Sequence, residues 1–119
     1  MQRDWDLIRA ILTRAAEKAP GEMLDGGEIR DWDPLVVNGH IAMLSDAGYV
    51  HAAMARGRAM VVSAMVKDLT MKGYDLAETL KSLTVWDKVK KIAKEKGLDL
   101  SFEVVKQLTD VAIKQILGG

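Results

Sequence analysis

Apolar residues near the start of the chain recur at helical spacing. Trp5, Ile8, Leu12, Ala15, Ala16 and Ala19 fall on one side of a 3.6-residue repeat, and Leu7 and Ile11 widen the stripe. Asp4 stands where an N-cap side chain accepts a backbone N–H, Asp6 lies near the positive end of the dipole, and Pro20-Gly21 stops the helix. From residue 21 to 32 neither the helical nor the strand period survives, and Gly26-Gly27 interrupts the run, so a loop with a short extended piece is predicted. Asp33-Pro34 then pairs an N-cap with a proline at the first helical position, starting a second helix over 34–47. Its inward stripe is Val37, Ile41 and Leu44, and Gly48 ends it.

Two runs, 49–54 and 59–66, flank Ala55-Arg56-Gly57-Arg58 and read as a β-hairpin with a glycine-bearing turn. Thr70 caps a third helix carrying Leu76, Leu80 and Leu83 along one side. Thr84 caps a fourth, with Val85, Val89 and Ile92 inward and Gly97 at its end. Ser101 caps a fifth, whose Val104, Val105, Leu108, Ala112 and Ile116 form a broad apolar face.

The fold class is therefore α+β. The order helix, extended piece, helix, hairpin, helix is that of a winged helix-turn-helix domain over residues 1–83. A helical pair over 84–119 follows, packed on that domain or on a dimer partner. Two short motifs are similar to those of winged-helix regulators: His40, Leu44, Ala47, Gly48 and Tyr49 resemble the end of a recognition helix, and Leu69, Thr70 and Gly73 resemble the step from the wing into the next helix. About a dozen residues separate the first two helices, so the usual middle helix is missing or reduced to a turn.

A closer resemblance runs along nearly the whole chain. Arg3-Asp4-Trp5-Asp6-Leu7-Ile8-Arg9, the two motifs above, Thr84-Val85-Trp86-Asp87-Lys88-Val89-Lys90, and Leu100-Ser101-Phe102-Glu103-Val104-Val105-Lys106-Gln107-Leu108 resemble a bacterial and prophage family of unknown function. The resemblance implies a small phage-associated or bacterial accessory or regulatory protein and supplies no catalytic motif.

Composition narrows the chemistry. The chain has 119 residues, 49% hydrophobic and 29% charged, with two prolines, a globular balance for one core. Zero cysteines exclude disulfides, thiolate metal sites and a cysteine nucleophile, and two histidines are too few for most transition-metal sites. The charged start Met1-Gln2-Arg3-Asp4 and the lack of an apolar run near ~18 residues predict a cytoplasmic chain without signal peptide or membrane span. Gly26-Gly27 lacks the lysine of a phosphate loop, Asp4 and Asp6 point to different sides of a helix, and neither His40 nor His51 has a nucleophile at a known spacing. The expectation is a non-enzymatic protein with no cofactor and no metal.

Charge is uneven along the sequence. Residues 1–50 hold five basic against nine acidic side chains and residues 51–119 twelve against eight; residues 81–96 alone hold six lysines against Asp87 and Glu95. Either a polyanion-binding half or solvated faces of amphipathic helices produce this pattern. The outer side of the second helix, Leu35, Asn38, Gly39, Ala42 and Asp46, carries no lysine or arginine. Asn38 is its only good base-edge group, and His40 on the same helix is a second base-side candidate. The wing is better supplied, with Arg56 and Arg58 at its turn and Lys67 and Lys72 further along, positioned for phosphate contacts. Two functions follow. One is weak, wing-led binding of double-stranded DNA; the other is a protein-interaction module on the same scaffold. Six methionines in the middle of the chain read as core filling or an adaptable binding surface. The last helices are candidates for a homodimer contact.

Overall fold

The computed structural model describes residues 1–118 and divides into two compact units, Met1–Ala77 and Glu78–Gly119. This division falls inside the third helix, a few residues before the 83/84 boundary expected from sequence.

In the first unit, α1 (Trp5–Glu17) begins at Asp4, whose carboxylate accepts the Leu7 N–H, and it buries Trp5, Leu7, Ile8, Ile11 and Leu12. The unpatterned stretch is a two-residue strand, β1 (Leu24–Asp25), followed by a one-turn 3-10 helix, Gly26–Glu28. Asp25 and Glu28 close a capping box around that turn, each side chain accepting the other end's backbone N–H. Lys18 reaches Glu28 from the end of α1 at 2.8 Å. Its ammonium, helped by the Asp25 N–H, holds the Glu28 carboxyl below its ordinary value.

The helix α2 (Pro34–Asp46) starts as expected, Asp33 accepting the Leu35 N–H with proline in the first turn. Its chain then passes into β2 (Val50–Arg56) and β3 (Val61–Leu69), and the three strands form an antiparallel sheet in the order β1-β3-β2. The hairpin turn lies at residues 57–60, with the Gly57 N–H donating to the Met60 carbonyl at 2.8 Å, slightly later than the sequence placed it. The register also slips between Ala55 and Arg56, where the extra residue, Val62, lies on β3. Both strands of the hairpin, α1 and the 3-10 turn pack on α2. Val37, Ile41 and Leu44 are wholly buried, and so is His40.

Next comes α3 (Met71–Leu80), capped by Thr70, whose hydroxyl oxygen accepts the Gly73 N–H at 3.0 Å and donates to the Gly48 carbonyl at 2.7 Å.

The second unit contains α4 (Leu83–Lys96) and α5 (Phe102–Gly118), packed on each other across a short connection. Ser82, not Thr84, caps α4, so the helix starts two residues earlier than expected. Gly97 ends it in the left-handed conformation at φ 64°, and the Leu98 N–H reaches back to the Ala93 carbonyl. Trp86, Val89, Ile92 and Ala93 from α4 and Val105, Leu108, Thr109 and Ala112 from α5 are buried. The buried Thr109 hydroxyl donates to the Val105 carbonyl one turn back. No helix among the described residues is long and apolar enough to cross a membrane.

Candidate functional site

The sequence assigns six side chains to one nucleic-acid face, and the fold separates them. His40 is wholly buried. Its Nε2 accepts the Asp4 backbone N–H at 2.8 Å, and its Nδ1 lies 2.9 Å from the Val36 carbonyl oxygen. An acceptor at Nε2 puts the ring proton on Nδ1, where it is donated to Val36. Both nitrogens are thus used inside the protein, and His40 presents neither to a base. Asn38 is 7% exposed and lies against the 3-10 turn, where a Cβ on Gly26 would come within 2.7 Å of the Asn38 Oδ1. The expected outward face of α2 is therefore partly an inward one. A helical period locates one buried stripe and is blind to a turn packing on a second side.

Lys72 is likewise committed, its Nζ donating to the Ala47 carbonyl at the end of α2 at 3.2 Å and lying 4.4 Å from the centre of the Tyr49 ring. This is a lysine at the negative end of a helix dipole, and burial pushes the Tyr49 hydroxyl beneath it up from its ordinary value. Lys67 is exposed but stands six residues along β3 from Val61, the partner of Arg56. At about 3.3 Å per residue it is roughly 20 Å from the turn. Only Arg56 and Arg58 come together, both exposed at the hairpin end.

These two arginines border a cleft of about 640 Å³ between α2 and the hairpin turn. One wall is Leu35, Val36, Gly39 and Ala42 of α2; the other is formed by Met60 and Val61 together with the turn backbone. Leu35 is 46% and Met60 50% exposed, high values for large apolar side chains. Met1 also lines the cleft, over Gly39, where an added Cβ would meet its Sδ at 2.8 Å. The N-terminal residues are fastened there by Asp4, whose Oδ2 accepts the Trp32 indole N–H at 2.9 Å while its own N–H goes to His40. The sequence places Gly39 and Ala42 on the outer side of the second helix, free of lysine and arginine, but does not connect them to the hairpin turn. The adjacency depends on how the hairpin curls over α2. No group of three or more histidine or acidic side chains suited to a metal ion occurs among the described residues.

Residues 2–99 match the family described as "Hypothetical protein (DUF2513)". A Haemophilus influenzae protein described as "Uncharacterized protein" is 34% identical over 120 residues, covering 99% of this chain and all of the relative. No solved structure matches the chain. The family match includes α1 through α4, and the segment 100–108, which suggested the resemblance in part, lies beyond it.

Proposed function

The chain belongs to the family described as "Hypothetical protein (DUF2513)", and we propose that it is a non-catalytic interaction module on a winged-helix-like scaffold, binding another protein through the cleft between α2 and the hairpin. The scaffold reading is supported by the element order and by the β1-β3-β2 sheet, in which the hairpin stands as a wing beside α2. The observation that carries the interaction reading is the character of the α2 surface. His40 and Asn38 face inward, and what remains beside the hairpin is Leu35, Val36, Gly39 and Ala42. A surface of that kind gains from excluding water against apolar groups and offers no donor to a base edge. Fold alone does not choose a partner, and the chemistry of this surface supports a protein one.

Arg56 and Arg58 favour a second reading, in which the wing touches DNA phosphates. Salt dependence bounds this second reading. A labelled random-sequence duplex titrated with the protein at ~50 and ~200 mM salt is expected to bind weakly, with a log–log slope no steeper than about −1.8, two contacts at roughly −0.9 each. A slope of about −3.6 or steeper, or dependence on base sequence, would show a DNA-binding surface larger than the two arginines and overturn the interaction reading.

A further inference from the structure

Resting on that reading, we propose that the occupant of the cleft is an apolar segment of another protein bearing carboxylates beside its apolar residues. The lining supplies both halves of this chemistry. Leu35 of α2 and Met60 of the hairpin turn both line the cleft as large apolar side chains left substantially exposed. Gly39 and Ala42, one turn apart on α2, keep the floor low enough for a partner's backbone to approach closely. The charged side chains of the lining are Arg56 and Arg58, with no carboxylate to balance them. Two cations at the edge of a water-excluding surface select an anion there, and guanidinium groups match a carboxylate's two oxygens.

The size and softness of the site agree. A volume of about 640 Å³ is in the range of pockets that enclose a drug-sized group, so it admits a few side chains rather than a whole domain face. Methionine side chains at two points of the lining, Met1 and Met60, adjust to irregular shapes, and Met1 is 72% exposed where it lies over Gly39. An entering side chain therefore displaces a flexible thioether, not a packed core group. Duplex phosphates would satisfy the arginines but leave Leu35 and Met60 against a polar backbone, which is why the peptide is the better match.

Selection of a random dodecapeptide display library on the full chain tests this. Enriched peptides are expected to combine apolar residues with neighbouring Asp or Glu. Leu35→Glu and, separately, the double variant Arg56→Glu/Arg58→Glu are each expected to weaken them by at least about tenfold. All of these positions are exposed, so wild-type melting of the variants confirms intact folding. The double variant should also reverse the preference, favouring Lys-flanked copies of the same peptides. Enriched peptides that depend on Leu35 but show no acidic bias and no response to charge reversal would overturn this inference and leave the interaction reading standing. Absence of any Leu35-dependent peptide would overturn both. Displacement of the enriched peptide by random duplex would assign the arginines to nucleic acid instead and also overturn the inference.

Discussion

Replacing Gly73 with alanine is expected to destabilise the protein by about 3 kcal/mol, the upper part of the range for overpacking a close contact. Elsewhere in a helix the same change gains up to about 1 kcal/mol in propensity, so the sign itself is diagnostic. At Gly73 the added Cβ would enter the space of the Tyr49 carbonyl oxygen, a backbone atom that also accepts the Thr70 N–H. Neither side yields easily, because Thr70 ties the start of α3 to Gly48 and Lys72 ties it to Ala47. Gly39→Ala supplies the contrast. Its Cβ would meet only the end of the Met1 side chain, and the change is expected to alter stability by no more than about 1 kcal/mol. Urea unfolding of the two variants measures both. Equal and small effects would show that α3 does not rest on the Tyr49 carbonyl.

His40→Ala is expected to lose about 2–4 kcal/mol. A wholly buried ring is removed, and the Asp4 N–H that it accepts is left without that partner at the entry to α1. His51, on the exposed part of β2 opposite Asp68, is expected to tolerate alanine within about 0.5 kcal/mol. The pair also separates two roles for His40. A histidine serving only as a base contact would weaken duplex binding and leave the urea midpoint unchanged, the opposite of what burial dictates.

Most of the helix framework was legible because its signals are local. Asp4, Asp33-Pro34, Thr70, Ser101 and Gly97 each act within one turn of themselves, and each does so in the fold. Ser82 displaced Thr84 as the α4 cap because two hydroxyl residues two apart compete for one role, and sequence does not rank them. The site was less legible. Whether Asn38 faces water depends on the 3-10 turn at Gly26, and whether Lys67 joins Arg56 depends on the strand register. Both are set by tertiary packing. The pairing of Leu35 with Met60 is of the same kind, two residues 25 apart brought to one cleft by the hairpin. Only Arg56 and Arg58 were readable as neighbours, since a turn containing glycine keeps its flanking residues together.

Methionine-methyl NMR tests the docking surface most directly. The protein carries its own reporters, with Met1 and Met60 in the cleft and the exposed Met23 and Met71 outside its lining. On titration with a display-enriched acidic-flanked peptide, the Met1 and Met60 methyl signals should shift together and saturate while those of Met23 and Met71 stay in place. Shifts confined to Met23 or Met71, or Met1 and Met60 responding to random duplex and not to the peptide, would contradict a protein-docking cleft between α2 and the hairpin.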